Sequence, residues 1–264
     1  MHEMDKPDYG IDAPGVVRNL LLCGAAGFAI YGLSVADIVP REGLTFHVGE
    51  ALIQLPIGTM ALSAGVAMFA MGLVMLWSSK VGKVRERDHL LDHLSWSGNE
   101  QVLDVGCGRG LMLIGAAKRV ANGGKAVGVD IWQTADLTGN SAEATLANAR
   151  LEGVADRVEV KTADMRTLPF ADGTFDTVVS SAAIHNLYTA ADRERAVREI
   201  ARVLKPGGAA LVSDIRHGRE YAATFAAAGC PHVEPKGSMV GSLLWSIVTL
   251  GSLRPRTMVV RKPH

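Results

Sequence analysis

Nine residues, Val102 to Gly110, constrain this chain more than any other stretch: Val-Leu-Asp-Val-Gly-Cys-Gly-Arg-Gly. Apolar residues around Asp104 read as the end of a buried parallel strand. Gly106, Gly108 and Gly110 then let the backbone turn tightly and approach a ligand with no Cβ in the way. An apolar helix, Leu111 to Val120, follows. A strand, a glycine turn and a helix N-terminus make a cofactor cradle. Glycine spacing restricts the cofactor. A dinucleotide turn of the form G-x-G-x-x-G starting at Gly106 requires glycine at 111, where the chain has Leu111.

From this turn onward strands alternate with helices. Lys125–Ile131 is a second short strand ending on Asp130. Asn140–Leu151 is an alanine-rich helix, and Val158–Val160 a third strand leading into Ala163-Asp164-Met165. Phe175–Ser181 is the fourth strand, and Asp192–Val203 an amphipathic helix. Lys205-Pro206-Gly207-Gly208 breaks that helix, and Ala209–Ile215 is the fifth strand, carrying Asp214. Arg219–Ala228 is a helix, His232-Val233 begins a weak sixth strand, and Thr257–Val260 is the last. The alternation predicts a doubly wound, Rossmann-like α/β sheet. An acid at the tip of the second strand of such a sheet is placed to accept hydrogen bonds from both hydroxyls of a ribose, which assigns that role to Asp130. Ile131 and Trp132 then line the face of an adenine.

The pattern D-x-G-x-G-x-G from Asp104, with Asp130, Asp164 and Leu204-Lys205-Pro206-Gly207-Gly208 in order, resembles the class I S-adenosylmethionine (SAM)-dependent methyltransferases. The likeness covers roughly residues 84–262 and is nearest to the small-molecule, ubiquinone/menaquinone methyltransferase-like branch. It implies a seven-stranded sheet with one antiparallel strand and SAM across the carboxyl ends of the first, second and fourth strands. It implies cofactor-binding roles for Asp104 (the methionine amino group), Gly106, Cys107, Gly108, Gly110, Asp130, Ile131, Trp132, Ala163, Asp164 (the adenine amine), Met165 and Ser180. S-adenosylhomocysteine is the product. At the fourth strand's tip Ser180-Ser181-Ala182-Ala183 stands where protein- or RNA-modifying relatives carry an Asn-Pro-Pro-Tyr signature, so the acceptor atom stays open.

Methyl transfer is a displacement at a sulfonium carbon, and the protein positions the nucleophile and helps remove a proton where one must leave. His185, His217 and Tyr188 follow the fourth and fifth strands and are the candidates for that work. His185, His217 and Asp214 lack a diagnostic metal spacing, and no metal is expected. Cys23, Cys107 and Cys230 are scattered, which indicates neither a disulfide framework nor a zinc site.

The first third reads differently. Residues 1–17 form a polar tail, expected to fray. Asn19 to Ala36 is uncharged for about 18 residues, and Ala51 to Ser79 for about 29, long enough to span hydrocarbon. Pro40–Glu50 is a short polar connection. A cleaved signal peptide fits badly, because the leader is acidic and a second apolar run follows at once. The expected organisation is a transmembrane hairpin over 18–79 and a catalytic domain over 80–264. Lys6, Arg18, Lys80, Lys83, Arg85 and Arg87 flank the hairpin on the side of the termini, against Arg41 alone in the loop. The positive-inside rule puts that side in the cytoplasm and makes the chain a multi-pass protein of the cell membrane. Ala61 and Gly65, small residues at helical spacing, suit contact within the hairpin or across a homodimer.

A third uncharged segment, 237–253, interrupts the domain with Met239, Leu243, Leu244, Trp245, Ile247, Val248 and Leu250 between basic flanks. It is expected to be an interfacial helix covering the acceptor pocket, or an ordinary helix packed on the sheet. Formal net charge is zero, which argues against a nucleic-acid partner. The sequence therefore points to a membrane-anchored methyltransferase acting on a lipophilic or amphipathic small molecule among membrane lipid. A nicotinamide-dependent membrane reductase and a non-catalytic SAM-binding sensor are the alternatives.

Overall fold

The computed structural model describes residues 6–40, 43–237 and 254–264. The segment 238–253, and with it the expectation for the apolar insert, lies outside the described residues. Two compact units are present. One comprises residues up to Tyr9, Lys83–Gln133 and Gly139–His264; the other comprises Gly10–Gly82 and Thr134–Thr138.

The smaller unit contains two long helices, α1 (Pro14–Val35) and α2 (Ile57–Trp77), joined by the strands β1 (Leu44–Val48) and β2 (Ala51–Leu55). Pro14 lies in the first turn of α1, where a missing N–H costs nothing. The helices cross antiparallel on a seam of small residues. A Cβ on Gly27 would lie 2.5 Å from the Ala61 carbonyl oxygen, and one on Gly24 would lie 2.7 Å from Phe69 Cβ. Gly58, Gly65 and Gly72, seven residues apart, are the buried positions of α2. Large apolar side chains face outward: Leu22 is 62% exposed and Trp77 61%. That is the inverse of a water-soluble helix pair. Ala61 and Gly65 thus serve the contact within this pair.

In the first third the structure departs from the sequence expectations. The uncharged run from Ala51 is not one helix: its first five residues pair with Leu44–Val48, because Gly49, at φ +64°, reverses the chain and Pro56 ends the ladder. The connection expected to be polar is therefore half of a β-ribbon whose one face carries Leu44, Phe46, Ile53 and Leu55. Helix α1 also starts at Pro14, earlier than the uncharged run.

In the tail expected to fray, the described residues up to Tyr9 belong to the larger unit. Tyr9 is buried, its hydroxyl donates to Glu152 Oε1 at 2.9 Å, and Lys83 Nζ donates to its carbonyl at 3.0 Å. The larger unit is a seven-stranded sheet. Its elements are α3 (Lys83–Leu91), β3 (Gln101–Val105), α4 (Leu111–Arg119), β4 (Lys125–Asp130), α5 (Ala142–Leu151), β5 (Val158–Thr162), β6 (Phe175–Ser181), α6 (Ala190–Val203), β7 (Leu204–Asp214), α7 (Gly218–Ala227), β8 (His232–Lys236) and β9 (Arg256–Arg261). Strand order is β5-β4-β3-β6-β7-β9-β8, with β9 alone running against the direction of the other six. Ser141 and Thr189 cap α5 and α6 with side-chain oxygens. Apolar clusters cover both sheet faces, one around Leu103, Ile184, Ile200 and Tyr221, the other around Leu91, Val102, Leu113 and Ala117.

Candidate functional site

Strands β3, β4, β5, β6 and β7 are parallel, so their carboxyl ends share one edge of the sheet. Chain order reverses between β3 and β6, the place where doubly wound sheets hold ligands. The glycine turn lies there. Gly106 and Cys107 donate to the Val129 carbonyl at 2.9 and 3.0 Å. Gly106 has φ +76°, and a Cβ on it would lie 2.4 Å from Ala183 Cβ. Gly110, at φ +87°, is the N-cap of α4. Two carbonyls of the turn are held by α5: Thr145 Oγ1 donates to Gly108 at 2.7 Å and Asn148 Nδ2 to Arg109 at 2.9 Å. The Cys107 thiol is buried and its acidity is suppressed, chiefly by that burial.

Asp104 is 1% exposed, and neither carboxylate oxygen has a hydrogen-bond partner. Burial pushes its pKa up to about 8; the Leu113 N–H in the first turn of α4, near the carboxylate but outside hydrogen-bond geometry, acts in the opposite direction, and the charge of Asp130 adds to the rise. Such a group is matched by an arriving cation. Asp130 sits at the tip of β4 and is already engaged. Its Oδ2 accepts from Gly108 N at 2.8 Å, and its Oδ1 accepts from Trp132 N at 2.7 Å and Asn140 Nδ2 at 3.2 Å.

Next to Asp130, Ile131 is 49% exposed, while the indole of Trp132 donates to Thr162 Oγ1 at 2.7 Å. Ala163 donates to the Asp130 carbonyl at 3.1 Å. Ala163 and Met165 pack on the apolar core. The Asp164 carboxylate is gripped by Arg166, with Nε 3.0 Å from each oxygen, and that guanidinium holds it below the usual carboxylate range. An adenine amine would share Asp164 with Arg166.

The other side of the switch point carries a histidine–aspartate pair. His185 Nδ1 lies 2.5 Å from Asp214 Oδ1, and the His185 N–H donates to Asp214 Oδ2 at 3.0 Å. Tyr221 Oη donates to the same Oδ2 at 3.3 Å, and Ile215 N to Oδ1 at 2.8 Å. Asp214 is buried and His185 keeps a small exposed edge. His217 is engaged elsewhere: its Nδ1 is 3.3 Å from Glu220, which also pairs with the buried Arg193. Among the described residues no group of three His, Cys, Asp or Glu is arranged to hold a metal ion. Tyr188 is fully exposed, so the structure does not bring it to His185. The Ser180 hydroxyl is committed to the Val105 carbonyl at 2.9 Å, tying β6 to β3.

Sequence reasoning passed over Asn140, Tyr221, Thr145 and Asn148. Spacing gave no sign of them, since each acts on a partner from a different strand tip or loop. One structural signal does mark the edge. Trp132, Ala182 and His217 adopt positive φ at the ends of β4, β6 and β7, and strained backbone of this kind concentrates at ligand sites.

Residues 103–212 match the family described as "Methyltransferase domain". The chain is 36% identical over 131 residues to the methyltransferase GfsG of Streptomyces halstedii, covering 50% of this chain and 43% of that protein. It is 33% identical over 123 residues to the demethylmenaquinone methyltransferase of Lactiplantibacillus plantarum, covering 46% of this chain and 47% of the relative. The chain thus spans less than half the length of either. A solved geranyl diphosphate methyltransferase in complex with SAM superposes with a TM-score of 0.54 at 19% identity, over 74% of this chain and 90% of that one. That likeness establishes the fold.

Proposed function

We propose that this chain, which matches the methyltransferase-domain family over residues 103–212, uses SAM to methylate a lipophilic or amphipathic small molecule from a membrane-held position. The observation that carries the cofactor is Asp104, a buried carboxylate with two unpartnered oxygens beside a glycine turn. It fits the α-ammonium of SAM. The closed approach at Gly106 and the acid at the tip of β4 fit the rest of the nucleoside. When bound, SAM supplies a methyl group activated by its sulfonium.

The chain supplies position and proton transfer. Asp214 fixes the His185 ring through Nδ1 and leaves Nε2 to accept a proton from an oxygen, nitrogen or carbon acid. The buried carboxylate then stabilises the imidazolium that forms. Tyr221 holds Asp214 in place. His217, paired with Glu220, is the second candidate.

Helices α1 and α2 are long and apolar enough to cross a membrane, and their small-inside, large-outside arrangement supports a hairpin in lipid. Lys83 and Arg87 are buried in the larger unit. Lys6, Arg18, Lys80 and Arg85 remain as the basic residues favouring a cytoplasmic domain. A lipophilic acceptor follows from that setting and agrees with the quinone in the name of the Lactiplantibacillus relative. The deciding experiment incubates detergent-solubilised protein with membrane lipid extract and methyl-labelled SAM. A labelled lipid-soluble product is expected. SAM binding with no product from any extract would make the chain a sensor, and a response to NADH in place of SAM would make it a reductase.

A further inference from the structure

We propose that Asn140 is a ribose ligand, so that the two hydroxyls of the bound adenosyl group are divided between Asp130 and Asn140. The inference rests on the SAM reading of the site. A carboxylate offers about four acceptor positions, two on each oxygen. Asp130 Oδ1 already accepts two hydrogen bonds, from Trp132 N and Asn140 Nδ2. Asp130 Oδ2 accepts one, from Gly108 N. One position is left, where recognition of both hydroxyls by this acid needs two. Freeing another means breaking a contact that shapes the glycine turn or the loop after β4.

Asn140 supplies the missing acceptor. It is 8% exposed. Its two amide protons are used on Asp130 Oδ1 and on the Gln133 carbonyl, at 3.2 and 3.0 Å. Those partners fix which way the amide faces: turned over, its oxygen would oppose two other oxygens. The amide oxygen that remains is buried and has no partner. Buried polar atoms are nearly always satisfied, so this oxygen calls for a partner that the chain does not supply, and a ribose hydroxyl is a donor of the right kind. This acceptor sits on the side chain that also holds Asp130, so one hydroxyl donates to Asp130 Oδ2 and the other to Asn140 Oδ1.

Calorimetry on the full chain with S-adenosylhomocysteine and its 2′-deoxy and 3′-deoxy analogues tests the division. In the wild type each missing hydroxyl should weaken binding by about tenfold. In Asn140→Ala the penalty for one of the analogues should vanish while the other persists. Asn140→Ala weakening all three ligands by one factor would reduce Asn140 to a prop for Asp130 and overturn the proposal. If Asn140→Ala does not fold, the side-chain amide signal of Asn140 in the wild type decides: its shift on binding should shrink with one analogue only, and equal shifts with all three ligands overturn the proposal. Failure of the wild type to bind S-adenosylhomocysteine at all would instead remove the cofactor reading, and this inference with it.

Discussion

Binding of the adenosyl cofactor should be linked to a proton through Asp104. The carboxyl is held at a pKa of about 8 by burial, so at pH 7 about nine molecules in ten carry it neutral before ligand arrives. A ligand ammonium selects the anion. Affinity for S-adenosylhomocysteine should therefore rise about ninefold from pH 6 to pH 7, with release of about 0.9 proton per ligand at pH 7. A charged contact of this kind contributes roughly 1.5–3 kcal/mol, and ionising Asp104 at pH 7 offsets about 1.4 kcal/mol of it. Asp104→Asn should consequently weaken binding at pH 7 by no more than about 15-fold, so the slope is more informative than the affinity. In the variant the pH dependence and the proton release should both disappear. Stability moves the other way. A folded-state pKa raised from 3.8 to about 8 means that stability present at acid pH is lost as pH climbs through that window. The ligand-free Asp104→Asn protein should then melt higher than wild type at pH 7.5. Calorimetry in two buffers of different ionisation enthalpy reads the proton directly. Wild-type affinity that is flat from pH 6 to pH 7, with no buffer-dependent heat, would refute the reasoning.

Three further outcomes are expected. His185→Gln should lower kcat by roughly 10²–10⁴ and leave the Kd for S-adenosylhomocysteine within about twofold; a matching fall in Kd and melting temperature would make the histidine structural. Gly27→Leu places side-chain atoms where the Ala61 carbonyl oxygen is already 2.5 Å from a bare Cβ, and overpacking of about 1–3 kcal/mol should lower the melting temperature in detergent; an unchanged melt would show that the helices do not meet there. Gln54→Cys, on the exposed β-ribbon, should be labelled by an impermeant maleimide from outside intact cells, and protection of that site would reverse the topology.

The strand–turn–helix at Asp104 was readable because its signal is local: three glycines within nine residues, between an apolar strand and an apolar helix. The alternation that follows was readable for the same reason, since each strand and helix carries its own period. The hidden parts are pairings across the chain. Tyr9 lies in a proline-containing polar tail and is ordered by Glu152, 143 residues away. Ala51–Leu55 has the composition of a membrane helix and becomes a strand because a glycine turn offers it Leu44–Val48. Tyr188 is three residues from His185 and points to water, whereas Asp214, 29 residues on, is its partner. Proximity in sequence was misleading at a strand tip, where neighbouring strands supply the contacts.

Strand β9 lies between β7 and β8 in the sheet although it is the last of the three to be made. During synthesis at about 5–20 residues per second, the interval between Asp214 and Arg256 lasts roughly 2–8 s. Throughout it β7 has one edge unpaired, and β8, once made, has no neighbour at all, a ready template for a stray strand from another nascent chain. By then the two long helices have left the ribosome, so a hairpin already seated in lipid would space such chains apart while each waits for its final strand. Losing residues 256–261 would therefore not trim the sheet's rim; it would leave every copy permanently in that waiting state.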